Sequence, residues 1–126
     1  MFINDITTAT LTAAMRGGLA RQEALAQNVA NSDTPGYQRM TVSFEGALAD
    51  ALSDDQAGLS RPGERAVDTV KPTFEVNTNT QTRVDGSNID PDAEMSELSS
   101  NQLAYNTNTR LLAERFQQLA SAISGR

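Results

Sequence analysis

Acidic residues are concentrated between Asp85 and Glu94, where their spacing could bind a cation. Asp85, Asn88 and Asp90 faintly resemble the ligands of a calcium-binding loop, but no glutamate stands at the loop position that supplies a bidentate carboxylate. The same acids surround Pro91, and negative charge there stabilises the positive N-terminal end of a helix. We therefore predict that these residues cap a helix and form no metal site.

The sequence contains few of the residue types that most often act in catalysis. The 126 residues include no His and no Cys, which removes imidazole bases, thiolate nucleophiles and most zinc chemistry. A net charge of −6 without a cluster of Lys or Arg argues against binding to nucleic acid. We expect no catalytic residue, no cofactor and no small-molecule substrate.

The length allows one domain at most. Only 38% of the residues are hydrophobic and 5% are aromatic, so a large self-contained core is hard to build. The sequence begins without a basic n-region, and no apolar run approaches the ~18–20 residues of a membrane span. We expect a chain that buries apolar faces against partners and is cytoplasmic, unless it is exported without signal cleavage.

The strongest structural signal is a long amphipathic helix near the carboxyl end. Asp90 suits the N-cap and Pro91 the first helical position. Alternating three- and four-residue spacing then predicts a heptad seam. One set of seam positions is Leu98, Tyr105, Leu112 and Leu119, and the other is Met95, Gln102, Thr109, Phe116 and Ile123. A continuous helix would be about 50 Å long, too long for this chain to cover by itself.

A second amphipathic helix is predicted at the amino end. Its apolar residues recur at near-helical spacing and include Leu11, Met15, Leu19, Leu25 and Val29. Gly17 and Gly18 interrupt the pattern, and two interpretations stay open. The glycines either weaken or kink the helix, or allow a neighbouring helix to approach closely.

This helix is predicted to end near Asn31, a residue type that can cap a helix in the left-handed conformation. Thr34-Pro35-Gly36-Tyr37 then fits a type II turn, with glycine where φ is positive. The chain is expected to continue extended through Val42. A short helix over residues 44–52 follows, with Ser43 as its N-cap.

These elements divide one structural domain into three segments. Residues 1–52 hold the first helix, the turn and the short helix. Residues 53–88 form a polar insert, either a long loop or a small irregular β region. Residues 89–126 form the long helix. The predicted fold class is mainly α, with the terminal helices packed as an antiparallel pair or coiled coil around a β-poor middle segment. The heptad seam of the long helix is buried either within one molecule, as an intramolecular helical hairpin, or between subunits of a helical tube, which is the interpretation we favour.

Two motifs resemble a known family. The stretch Asn28-Val29-Ala30-Asn31-Ser32-Asp33-Thr34-Pro35-Gly36-Tyr37 resembles the N-terminal signature of bacterial flagellar rod and hook proteins. The segments 85–95, 101–105 and 111–126 are similar to the proximal-rod members, which have no large inserted domain. The resemblance assigns the family motif to Asn28, Asn31, Thr34, Pro35, Gly36 and Tyr37.

The resemblance implies a structural subunit of the proximal rod, the drive shaft of the flagellar basal body. Its implied partners are copies of itself, other rod proteins, base-ring or rod-junction proteins and the flagellar type III export apparatus. It also implies export without signal cleavage to the periplasmic rod. The expected subunit-packing residues are Leu11, Met15, Leu19, Leu25, Val29, Met95, Leu98, Tyr105, Leu112, Phe116, Leu119 and Ile123. The alternative is a coiled-coil binding module, such as a secretion chaperone or adaptor, because the same heptads would serve it.

Overall fold

The structure is a computed structural model that describes residues 5–60, 64–78 and 83–125. Within these ranges the chain forms α1 (Ile6–Ala30), β1 (Met40–Ser43), α2 (Glu45–Gln56), α3 (Ala66–Thr69), β2 (Thr73–Val76) and α4 (Pro91–Ser124). The long helices α1 and α4 pack together in antiparallel orientation. The predicted mainly α fold with paired terminal helices is therefore confirmed. No helix in the described ranges is long and apolar enough to cross a bilayer.

α1 buries a face of small residues under the middle part of the chain. These residues are three or four positions apart, which places them on one side of a helix. They are Ala9, Ala13, Gly17, Ala20 and Ala24. Two apolar clusters cover this face, one from β1 and the start of α2, the other from α2 and α3. Small side chains let these short elements come close, so a chain with few large apolar residues still forms a core.

Close approach, and not a kink, explains the two glycines. α1 continues through Gly17 and Gly18 without a break. A Cβ atom added to Gly17 would lie 2.3–2.5 Å from the buried ring of Phe44. Gly18 faces α4 instead, where an added Cβ would stand 3.7 Å from Tyr105 and 3.9 Å from Asn101. The approaching group at Gly17 is thus an aromatic side chain, while Gly18 meets the neighbouring helix.

α4 begins and ends where local chemistry predicts. The Asp90 carboxylate accepts hydrogen bonds from the N–H groups of Asp92 (3.1 Å) and Ala93 (3.4 Å), and Pro91 follows it. Gly125 has a φ of +69° just after the last turn. The predicted capping role is confirmed for Asp90, whereas the Glu94 side chain is buried and receives hydrogen bonds from Asn28 and Arg39. With 34 residues, α4 is longer than the 25-residue α1, by about 14 Å.

The middle of the chain is more regular than the predicted polar insert. α2 runs past residue 52 to Gln56, and both α3 and β2 lie within 53–88. β2 pairs antiparallel with β1, with Val42 opposite Phe74. The sequence analysis allowed a small β region here but did not locate β2, because its partner strand lies more than thirty positions earlier, beyond what local periodicity reports. The three-segment division stays a prediction, and residues 1–4, 61–63, 79–82 and 126 of those segments lie outside the described residues.

Two local details differ from expectation. Ser43 ends β1, so it is not the N-cap of α2. Phe44 occupies that position, and its side chain, which has no acceptor atom for the helix N–H groups, is buried against Gly17. Asp55 caps α3 from a distance, accepting from the N–H groups of Ala66 (2.8 Å) and Val67 (3.1 Å).

We expect Gly17→Ala to destabilise the fold by about 1–3 kcal/mol, because its methyl group would overlap the Phe44 ring. Gly18→Ala is the matched control: its methyl group makes ordinary contacts, and alanine favours the helix by up to about 1 kcal/mol. Urea unfolding of both variants measures the difference. Equal stability of the two would show that Phe44 does not occupy the space above Gly17.

Candidate functional site: the junction of the terminal helices

Asn28 joins three elements from inside the protein. Its side chain is fully buried. Its Oδ1 accepts from the Met40 N–H at 2.8 Å, while its Nδ2 donates to the Met40 carbonyl and to Glu94 Oε2, both at 2.8 Å. The amide therefore takes the place of a neighbouring strand along the edge of β1. It also holds the first turn of α4 against the last turns of α1.

Glu94 places a carboxylate in the interior, where an unpaired charge would be costly. The residue is 1% exposed, and it receives hydrogen bonds from Asn28 and from Arg39 Nε. Arg39 Nη2 also donates to Glu97 at 2.8 Å. Burial alone lowers the pKa of Arg39, but the hydrogen bonds and charges of Glu94 and Glu97 outweigh it and raise the pKa above its ordinary value. We call Asn28, Arg39, Asn88 and Glu94 the polar junction.

Asn88 connects the segment before α4 to the sheet. Its Oδ1 accepts from the Arg39 N–H at 2.6 Å, and its Nδ2 donates to the Asn77 carbonyl at 2.6 Å. Ser87, Asn88 and Ile89 are all buried. This segment is thus clamped between β1 and α4, which fixes where the long helix starts.

The turn after α1 has the predicted conformation. The Tyr37 N–H donates to the Thr34 carbonyl at 3.2 Å, and Gly36 has a φ of +74°, as a type II turn requires. Asn31 ends α1 differently from the prediction. Its φ is −106°, not left-handed, and its side chain caps the helix by donating to the Gln27 carbonyl at 2.8 Å.

The two motifs that carry the family resemblance touch each other. The Gly36 N–H donates to the Asp85 carbonyl at 3.0 Å, and Gln38 Nε2 donates to the Gly86 carbonyl at 2.8 Å. A Cβ atom added to Gly86 would lie 3.6 Å from the Gly36 Cα. The turn and the loop before α4 therefore form one surface at the end of the helix pair.

Polar residues set the register of the two long helices. Asn28 meets Glu94; the Gly18 carbonyl accepts from Asn101 Nδ2 at 2.9 Å; Arg115 Nη2 donates to Asp5 Oδ2 at 2.5 Å. The three polar residues of α4 are seven or fourteen positions apart, so they occupy equivalent heptad positions. Each finds a specific partner on or beside α1, and sliding the helices by one turn would break all three contacts.

The predicted packing residues of α4 fall into two groups. The first group is half-buried and consists of Leu98, Tyr105, Leu112 and Leu119. Together with Glu94, Asn101 and Arg115 these residues form the face of α4 that packs toward α1, which we call the inner seam. Met95, Phe116 and Ile123 are 48%, 46% and 77% exposed. On α1, Leu25 is buried, Leu11, Met15 and Val29 are half-buried, and Leu19 is 55% exposed.

Sequence analysis missed Glu94, Asn101 and Arg115 as members of the inner seam. A search for apolar heptads pairs the Leu98 set with the set that contains Met95 and Phe116, although the second set is exposed. The sequence did contain a signal for this face. Glu94, Asn101 and Arg115 share one heptad position, and the next seam position, which begins at Leu98, is apolar. Polar residues in a seam are known to specify register.

The acids before α4 are engaged in turns and caps. Asp85 Oδ1 accepts from the Ser87 N–H at 3.0 Å, and Asp90 caps α4. Over the described residues, no group of three or more acidic side chains is arranged to hold a metal ion.

We expect Asn28→Ala to lower the free energy of unfolding by roughly 2–4 kcal/mol, because it leaves the Met40 edge and the Glu94 carboxylate without a partner. Gln27→Ala, at the adjacent exposed position, serves as the control and should change it by less than about 0.5 kcal/mol. Chemical denaturation measures both. A fall of similar size in the two variants would contradict the role of the polar junction.

The hydrogen bond and charge of Arg115 hold the pKa of Asp5 below its ordinary 3.8. The pair therefore stabilises the folded chain above that pH and stops doing so as pH falls through the lowered pKa. We expect Arg115→Gln to raise the Asp5 pKa toward 3.8. NMR titration measures this, with the Asp55 carboxyl, whose pKa is lowered by Ser60, as an internal control that stays constant. An unchanged Asp5 pKa would show that the helix ends are apart in solution.

Known proteins are similar in sequence to this chain over most of its length. The family model described as "Flagella basal body rod protein" matches residues 10–38, which span most of α1 and the turn. The chain is 32% identical over 110 residues to "Flagellar basal body rod protein FlgB" of Borrelia hermsii, with 79% of this chain and 82% of the relative covered. Proteins with the same name from Aeromonas hydrophila and Bacillus subtilis (strain 168) are 31% and 29% identical over 109 residues, covering 83% of each chain.

These relatives cover about four-fifths of this chain, well beyond the residues that the family model matches. The family consists of structural, non-enzymatic proteins of the basal body rod that assemble with other rod components. The chain belongs to the flagellar basal body rod protein family and is a component of the flagellar rod.

Proposed function

We propose that this chain is a structural subunit of the proximal rod, where it transmits torque through helix packing with other rod subunits. The observation that carries the proposal is a second heptad face on α4. Nine positions at alternating three- and four-residue spacing are all exposed, and none is charged. They are Met95, Ser99, Gln102, Asn106, Thr109, Ala113, Phe116, Ala120 and Ile123. We call this set the outer seam.

An exposed helix face in a monomeric protein normally carries charge. After Met95, the outer seam is polar but uncharged as far as Thr109, and it is apolar from Ala113 to Ile123. Exposed apolar stripes of this kind mark interaction surfaces. Since the inner seam already satisfies α1, the outer seam is available for neighbouring subunits.

The fold is suited to a subunit that transmits mechanical force. The polar contacts at Glu94, Asn101 and Arg115 prevent the two long helices from sliding, so axial and torsional force passes through a fixed pair. Only short elements separate α1 from α4, which agrees with a rod subunit that has no large inserted domain. The partners we propose are copies of this chain, other rod proteins and base-ring or rod-junction proteins.

We further propose that the chain reaches the periplasmic rod through the flagellar type III export apparatus without signal cleavage. The absence of Cys supports this route, because a chain without thiols passes from a reducing to an oxidising compartment without disulfide chemistry. Those terminal packing residues that are exposed in the single chain, such as Met95, Phe116 and Ile123, would then become buried during assembly at the base of the rod.

The test uses a strain that lacks the chain. The wild-type gene should restore swimming, and a cryo-electron microscopy map of its basal bodies should show the α1–α4 pair at the base of the rod. Phe116→Asp should abolish both, since burying a charge in a packed seam costs several kcal/mol. Gln117→Asp, the adjacent exposed position, is the control and should preserve swimming.

The Phe116 side chain is half-exposed in the single chain, so the purified variant should unfold at nearly the wild-type denaturant concentration. Normal swimming with Phe116→Asp would contradict burial of the outer seam. Complete rods in the strain that lacks the chain would contradict the proposed function as a whole.

A further inference from the structure

β2 is the open edge of the two-stranded sheet. Its four residues, Thr73–Val76, are all exposed, and within the described ranges β1 is its only partner strand. The Phe74 and Val76 side chains are 44% and 58% exposed. An edge strand presents a row of N–H and C=O groups to which another strand can bind. β2 therefore carries a candidate surface for a partner.

The hydrogen bonds around the sheet identify which backbone groups of β2 point outward. The Asn77 N–H donates to the Arg39 carbonyl at 2.8 Å, so these two residues form a hydrogen-bonded pair. Such pairs alternate along an antiparallel ladder, and the register therefore places the N–H and C=O groups of Phe74 and Val76 on the outer side. Met40, which lies opposite Val76, agrees with this: its N–H and carbonyl point away from β2 and bind a side chain of α1.

The apolar face of the sheet continues onto β2 without cover. Opposite residues of an antiparallel pair lie on the same face. Phe74 therefore shares a face with Val42, which is buried against α1. Val76 shares that face with Met40, which packs beside Val42. Since Phe74 and Val76 themselves remain exposed, a third strand with an apolar residue on this face would cover them.

The edge is short, which restricts what can bind to it. The outward position before Phe74 is Pro72, which has no N–H and so cannot donate a further ladder bond. The edge therefore offers two complete sites, at Phe74 and Val76, about 7 Å apart. A helix directs its N–H and C=O groups along its own axis. Only an extended segment supplies acceptors and donors sideways at this spacing.

Pairing of β2 with β2 of a second copy does not suit this edge. The antiparallel register that joins Phe74 to Val76 of the second copy uses both sites fully, but it sets the two Glu75 carboxylates directly opposite each other. Like charges in that position are destabilising. Antiparallel self-pairing is also two-fold symmetric, and such a contact closes as a dimer and adds nothing to an open polymer.

We propose, on the basis of the proposed rod function, that an extended segment of a different rod protein binds along β2 as the third strand of this sheet. Its backbone pairs with the N–H and C=O groups of Phe74 and Val76, and an apolar side chain of the segment covers the face that these residues share. The segment has no acidic residue opposite Glu75. In this mode of recognition the backbone bonds supply the affinity, and the side chains on alternate positions supply the specificity.

Amide hydrogen exchange tests the contact in the purified chain and in isolated basal bodies. In the purified chain the Phe74 and Val76 amides should exchange fast, while the Glu75 and Asn77 amides, which are bonded to β1, exchange slowly. In basal bodies the exchange of Phe74 and Val76 should slow by at least about a hundredfold. Slow exchange of both amides already in the purified chain would overturn the proposal, because the edge would be covered without a partner.

Two variants of one residue separate a bound strand from a neighbour that only covers the surface. Val76→Pro removes the outward N–H, whereas Val76→Ala shortens the side chain and keeps that N–H. Neither change removes a bond to β1, so the two purified variants should unfold at similar denaturant concentrations. In the strain that lacks the wild-type gene, incorporation into basal bodies should be at least about tenfold lower for Val76→Pro. Equal incorporation of the two variants would overturn the proposal.

The identity of the partner is tested with Glu75→Cys, because the natural chain has no cysteine. In oxidised basal bodies this variant should form no disulfide-linked dimer of the chain. Such a dimer would show self-pairing and overturn the choice of partner. The proposed function fails differently: the wild-type chain would then be absent from basal bodies. Its presence there with fast exchange at Phe74 and Val76 would overturn the edge contact alone.

Discussion

The buried carboxylate of Glu94 is the constraint on which the rest of the molecule depends. A charge in the protein interior is tolerated only when it is paired and hydrogen-bonded, and the partners of Glu94 come from two other parts of the chain. Asn28 reaches it from α1, and Arg39 reaches it from the residue before β1. The start of α4 is therefore placed against both the end of α1 and the small sheet.

This arrangement gives the family motifs a physical role. Asn28 serves the polar junction, Asn31 ends α1, and Gly36 adopts the positive φ that brings the turn against Asp85 and Gly86. The motifs are separated by half of the chain but form one contact surface. Their residues act within the subunit, whereas the outer seam is the surface that remains for neighbours.

Much of the fold was predictable because it rests on local chemistry. The Asp90-Pro91 start of α4, the turn at Gly36 and the amphipathic pattern of both long helices are short-range signals, and each appears in the structure. β2 and the membership of the inner seam were not predictable in this way. Both depend on partners distant in sequence: β1 for the strand, and Asn28, Gly18 and Asp5 for the polar residues of α4.

The amino-acid sequence alone determined that two amphipathic helices flank a polar middle, that the chain has neither His nor Cys for catalysis, and that its motifs resemble those of rod proteins. These properties follow from composition and short-range periodicity. Only the tertiary structure decided which side of α4 is used internally. A heptad pattern is symmetric about its two possible seams, and the choice between them was made by the polar partners that α1 offers to Glu94, Asn101 and Arg115.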